Sequence, residues 1–172
     1  GGDAAGAATI YREMLPMAII LRRGHLSAQL RQQLKACTAR QALDRQVEVL
    51  KRRLANDPSN AQAADELVRI YVVQLDRPAL AQPYAAATGD PAWQTYVPMA
   101  AKPLDQVPPP ACVELGHWYV QLAEKAEGQA KMRLLLRAQG YLKRGATADT
   151  LDGPQQLKIT LSLQRIAKDL DA

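Results

Sequence analysis

Phenylalanine is absent from the chain, and histidine and cysteine occur only twice each among its 172 residues. Each shortage removes a class of function. Nucleophilic catalysis of the Ser-His-Asp or Cys-His kind needs a base beside the nucleophile, and His25 and His117 are the two imidazoles on offer. His25 follows Gly24 and reads as a loop residue, while a helical His117 suits groove lining or packing better than catalysis. Cys37 and Cys112 have no second Cys or His at metal-ligand spacing nearby, so a zinc site is not expected. Both fall within apolar periodicity and read as small buried hydrophobes. Their pairing in a disulfide stays open, because sequence does not test their separation. The glycines are scattered at turns and never cluster ahead of a Lys and a helix, so no loop is built to cradle phosphate. Glu124 and Glu127 resemble a carboxylate pair, but Lys125 and Lys131 beside them make solvated surface charge the better account. No catalytic residue, metal ligand or cofactor site is therefore expected, and the chain reads as a non-enzyme.

Long apolar runs are missing as well. The densest, Met14 to Leu21, is interrupted by Pro16 and falls far short of the roughly 20 residues that cross a bilayer. The chain opens Gly1-Gly2-Asp3, without an initiator Met, a charged n-region or a cleavage pattern, and is expected to be a processed form or an excised domain. What is abundant is helix-forming: apolar residues make up 48% and charged residues 23%, with Ala and Leu frequent. That length can bury a core as one domain or as a short stack of helix pairs. Charge is uneven. Residues 1–56 hold ten Lys or Arg against four Asp or Glu, and the remainder twelve against thirteen. The basic excess lacks interleaved aromatic platforms, so a solvated helix face is expected rather than a nucleic-acid site.

Hydrophobic spacing divides the chain into a basic N-terminal helical segment, 1–56, and a helical domain, 57–172, with a Pro-rich insertion at 91–110. Residues 1–9 read as frayed, and Ile10 to Leu21 as a short helix bent or restarted at Pro16 and ended by Gly24. Ser27 is a fair N-cap for the stripe Leu26, Leu30, Leu34 and Cys37. A second stripe, Leu43, Val47, Leu50 and Leu54, points more than a right angle away at about 100° per residue. Either Thr38 starts a new helix with a capping box, or one long helix packs its halves against different neighbours; the absence of Gly and Pro favours the long helix. Asn56 to Asn60 is a stop and restart. Ala64, Leu67, Val68, Tyr71 and Leu75 then mark one helix, and Leu80, Tyr84 and Ala87 a second. Five prolines between 98 and 110 limit helix to short pieces, with Pro108 to Pro110 read as an extended spacer. Gly128 allows a turn before the stripe Ala130, Leu134, Ala138 and Tyr141. Gly153-Pro154 opens a terminal helix with the seam Ile159, Leu163, Ile166 and Leu170.

Cys112-Val113-Glu114-Leu115-Gly116-His117-Trp118-Tyr119 carries the Leu-Gly-x-x-Tyr spacing of a tetratricopeptide first helix. Leu115 and Tyr119 share a face, and Gly116 lets a neighbouring helix approach closely. Pro58 and Pro91 stand 33 residues apart, close to the ~34-residue tetratricopeptide period, with Leu67, Tyr71, Tyr84 and Ala87 near the usual offsets. With Leu67-Val68-Arg69-Ile70-Tyr71, Tyr96-Val97-Pro98 and Leu122-Ala123-Glu124-Lys125, the chain resembles a tetratricopeptide-like helical repeat, and residues 40–170 resemble helical-repeat regions of large planctomycete proteins. The resemblance implies an all-α fold, antiparallel helix pairs in a short right-handed stack between a long N-terminal helix and a C-terminal capping helix, and an exported or envelope protein. It supplies no catalytic residues. Cys112 stands where the family pattern prefers Trp, and the second hairpin is longer than standard.

The function expected is a non-enzymatic interaction or scaffold module that presents a concave surface to a protein or peptide partner. The alternatives are a structural subunit or spacer, marked by an exposed apolar stripe within residues 10–37, and a carbohydrate or small-ligand binder sited in the insertion. Trp93, Tyr96, His117 and Trp118 are the candidate binding residues. Trp118 lies about 100° from the Tyr119 stripe, so it either wedges against a neighbouring helix or faces a ligand.

Overall fold

A computed structural model describes residues 3–21, 23–148 and 151–171. The described residues form eight α-helices and no strand, as a composition rich in Ala and straight-chain residues favours. The chain divides into two compact units, Gly1–Arg52 and Arg53–Ala172, and the division falls within its longest helix.

In the first unit, α1 (Ala4–Ile20) starts earlier than its Gly- and Ala-rich sequence suggests, because the Asp3 carboxylate accepts from the backbone N–H of Ala5 (3.0 Å) and Gly6 (2.9 Å). That cap satisfies orphan donors that would otherwise fray. α1 does not restart at Pro16 but runs through the proline. The helix α2 (Gly24–Asn56) is a single element. Gly24 opens it rather than closing α1, and Ser27 sits inside it, its hydroxyl donating to Gly24 O at 2.8 Å. Thr38 Oγ1 donates back to Leu34 O at 2.7 Å. Ser27, expected as an N-cap, is absorbed into the helix, and Thr38 lies inside the single long helix that the absence of Gly and Pro favours. Gln41 Nε2 donates to Ala4 O at 3.2 Å, linking α2 to the start of α1.

The second unit opens with α3 (Ala61–Arg69), capped by Asn60 Oδ1 accepting from Ala63 N at 3.0 Å. Ala63, Ala64, Leu67 and Val68 are buried. The helix then widens into a π-helical turn, Ile70–Gln74, in which Leu75 N–H reaches Ile70 O at 2.9 Å. Asp76 ends the turn at φ +53°, a left-handed conformation that Asp tolerates better than most residues. Next come α4 (Pro78–Ala85) and α5 (Pro91–Ala100), with Tyr84 stacked on Tyr71 at 6.3 Å.

Prolines punctuate this unit differently from expectation. Pro78 and Pro91 each occupy a first helical position, where a missing N–H costs nothing, and Pro98 is accommodated inside α5. The expected Pro108–Pro110 spacer shrinks to Pro108, which is extended (ψ 140°), because Pro109 and Pro110 form the first turn of α6 (Pro109–Glu124). A short 3₁₀ turn, Leu104–Gln106, bridges α5 and α6. It is braced by Arg144, whose Nε donates to Val107 O (3.1 Å) and Nη2 to Asp105 O (2.8 Å).

Gly128, at φ +54°, supplies the left-handed backbone that turns α6 into α7 (Gly128–Gly145). The two helices run antiparallel: Gly116 meets Leu142 and Gly145 meets Val113, so one sequence number rises as the other falls. A Cβ on Gly116 would lie 2.5 Å from Leu142 Cγ, and one on Gly145 would lie 2.6 Å from Val113 Cγ2. Small residues thus set this helix spacing. The last helix, α8 (Gly153–Leu170), begins with a capping box between Asp152 and Gln155 and buries Ile159 and Ile166.

Candidate functional site

Three of the four sequence-predicted site residues converge. The Trp118 ring on α6 stacks on Tyr96 (5.2 Å between centroids) and meets Trp93 edge-on (5.5 Å), both from α5. Trp118 also contacts the Tyr119 ring at 4.9 Å, and Tyr119 stacks on Tyr141 of α7 at 5.6 Å. Trp93 and Trp118 are buried and Tyr96 is half-buried. Adjacent residues on a helix point about 100° apart, yet Trp118 and Tyr119 both reach the interior because α6 packs against α5 as well as α7. The aromatic cluster is an inter-helix seam. His117 is half-buried on another side of α6; burial, and then the positive charge of Lys158 on α8, hold its pKa below the usual imidazole range.

Cys37 and Cys112 are free thiols. Burial outweighs the nearby Arg144 and pushes the Cys112 thiol above its ordinary range, the opposite of what a reactive thiolate requires. Among the described residues, no three or more His, Cys, Asp and Glu side chains are grouped to hold a metal, and no helix is long and apolar enough to cross a membrane.

The feature that sequence reasoning missed is an open cleft of about 740 Å³ in the second unit. One wall is the turn from the π-helical segment into α4, with Asp76, Arg77 and Leu80. A second is the end of α5 and the 3₁₀ turn, with Lys102 and Leu104. The third is α7, which contributes Arg133, Leu136, Arg137, Gly140 and Tyr141. These α7 positions recur at i, i+3, i+4, i+7 and i+8 and so share one face. That spacing was readable, but the apolar stripe Leu134, Ala138 and Tyr141 lies on an overlapping face and dominates the pattern.

Two arginines hold the walls together. Arg133 Nη2 donates to Gln74 O at 2.8 Å. Arg137 pairs through Nε with the Asp76 carboxylate and donates from Nη2 to Asp76 O at 3.3 Å, which pins the left-handed residue. Arg133 Nε is buried without a hydrogen-bond partner among the described residues, as is the hydroxyl of Tyr119. Burial carries the Tyr119 phenol far above its usual range, against the opposing pull of Arg137, so the group stays neutral.

The cleft's edges combine charge and apolar surface. Arg77 and Lys102 are exposed, and Asp76 is the one carboxylate among the four cations that line it. Leu80, Leu104 and Leu136 keep 46%, 41% and 52% of their surfaces exposed. Single exposed leucines are ordinary; these three come from different elements and line the same concavity. No protein-family model, curated protein or solved structure matches the chain.

Proposed function

We propose that the chain is a non-enzymatic protein-interaction or scaffold module, built on tetratricopeptide-like helix pairs, with the cleft between α4, α5 and α7 as its docking surface. The observation that carries this reading is the convergence of Leu80, Leu104 and Leu136, each exposed by two-fifths or more, on one cleft. Fully covering a leucine side chain is worth about 1.5–3 kcal/mol, so a partner that covers these half-exposed residues gains on the order of 1 kcal/mol from each. The side chains buried beneath them are engaged in packing or in holding backbone carbonyls, which is the work of a rigid platform rather than of acid–base chemistry.

The test is cross-linking mass spectrometry of the chain in cells that produce it, at two salt concentrations. The expected result is a salt-resistant protein partner whose cross-links fall on residues 60–145. Recovery of salt-labile nucleic acid alone, or of nothing, overturns the reading.

A second reading is favoured by α1. Ile10, Met14, Met17, Ile19 and Ile20 all stand exposed, Ile20 by 77%, on a helix with few charged residues. Ile10, Met14, Met17 and Ile20 fall within about 120° of one another around the helix, with Ile19 on another side, and the face they form suits a structural subunit that buries α1 against another chain. Cross-links concentrated on residues 10–21 favour this alternative.

A further inference from the structure

We infer that the cleft takes an acidic peptide segment bearing aliphatic side chains. This rests on the interaction reading above and names the partner's chemistry. Arg77 and Lys102 stand at its rim, exposed and without a carboxylate partner among the described residues. The Asp76 carboxylate is already engaged by Arg137, so it does not offset the rim cations. Arg133 lines the same cleft with its Nε buried and unpartnered. Exposed cations from two of the cleft's walls, beside exposed leucines from all three, match a segment whose carboxylates flank an aliphatic side chain. Leu80, Leu104 and Leu136 come from three different elements that line the cleft, so an aliphatic side chain entering it meets apolar surface from each.

Other occupants fit less well. A single-stranded nucleic acid needs exposed rings on which bases stack, and Tyr141, the one aromatic lining the cleft, is buried. An isolated amphiphile such as a fatty acid would be favoured by an enclosed cavity. Here each leucine retains at least 41% of its surface, so the cleft is open rather than enclosed.

The experiment is selection of random displayed peptides on the full chain, followed by counter-selection on the Arg77→Glu/Lys102→Glu double variant. Both positions are exposed, and circular dichroism verifies that the variant is folded; Arg77→Gln/Lys102→Gln replaces it if the reversed charges disturb the helices. Expected are survivors enriched in Asp or Glu beside Leu, Ile or Met. Synthesised with a dye, they should lose at least tenfold in affinity on the double variant and on Leu136→Gln, by fluorescence anisotropy. Survivors without acidic enrichment overturn the inference. So does a selection that yields no survivor, or one in which dodecanoate binds the cleft and no peptide does. Peptides that bind wild type and double variant equally overturn the cleft assignment alone, since the interaction reading stands or falls on the cellular cross-links.

Discussion

His117 lies beside Trp118 in the sequence, yet its environment is electrostatic where that of Trp118 is aromatic. Burial first, and Lys158 second, disfavour its cation in the folded protein. The unfolded chain, whose imidazole titrates near 6.5, therefore binds the proton more readily. The stability this difference contributes is complete above that unfolded value and is lost as pH falls toward the lowered folded pKa. Urea unfolding of wild type and His117→Gln across pH 5–8 should show wild type losing stability relative to the variant below about pH 6.5. Lys158→Gln should reduce, without abolishing, that difference. A stability gap independent of pH would show that the imidazole titrates alike in both states. None of this was legible in the sequence, because a lone His on a helix carries no sign of the lysine that faces it from 41 positions along the chain. The aromatic cluster was only partly legible. Tyr119 belongs to the apolar stripe of α6, but the burial of Trp118 depends on α5 returning to cover a second face.

Helix existence was more legible than helix boundaries, and proline explains much of the difference. A proline ends a helix that precedes it and starts one that follows it, so a row of prolines suggests a break while the same residues at N1 and N2 begin α5 and α6. Gly116 was readable as a point of close approach, although the partner residue was not. The contact with Leu142 makes a direct prediction. An added methyl at Gly116 must displace the Leu142 side chain, which is fully buried and whose own backbone nitrogen lies 3.2 Å from the new Cβ. Gly116→Ala should cost roughly 1–3 kcal/mol as overpacking, and Leu142→Ala roughly 2–5 kcal/mol as a cavity. The double variant places the new methyl in the space the leucine vacates, so it should cost less than the two singles together. Denaturant midpoints of the four proteins measure the coupling, and strict additivity would contradict the close α6–α7 pairing. The cleft lay beyond sequence reading for a related reason: the α7 face was available from spacing, but Leu80 comes from the start of α4 and Lys102 and Leu104 from the connection after α5, and their proximity follows from how α4, α5 and α7 are assembled.

At the scale of the molecule, burial is distributed very unequally. In the first unit, Gly1–Arg52, the buried residues among those described are Ala8, Ala18, Ser27, Leu30, Val47 and Leu50; three of these are small, and Ile10, Met17, Ile19 and Ile20 remain exposed. The second unit, Arg53–Ala172, buries large side chains from α3, α5, α6, α7 and α8, including Leu67, Val97, Leu115, Tyr119, Leu142 and Ile166, while α4 buries Pro78, Ala81 and Ala85. Chains of about 50 residues are marginal even with a full core, and isolated helices draw most of their stability from packing. A protein comprising residues 53–172 should therefore retain strong helical circular dichroism and melt in one cooperative transition. Residues 1–52 alone should show weak helicity that declines without a sigmoidal step and rises with protein concentration, as exposed α1 side chains find one another. If 1–52 instead melts cooperatively as a monomer, the exposed apolar residues of α1 do not limit its stability, and the structural-subunit reading loses its support. If 53–172 loses its cooperative transition, the docking cleft depends on the first unit and the platform extends over both.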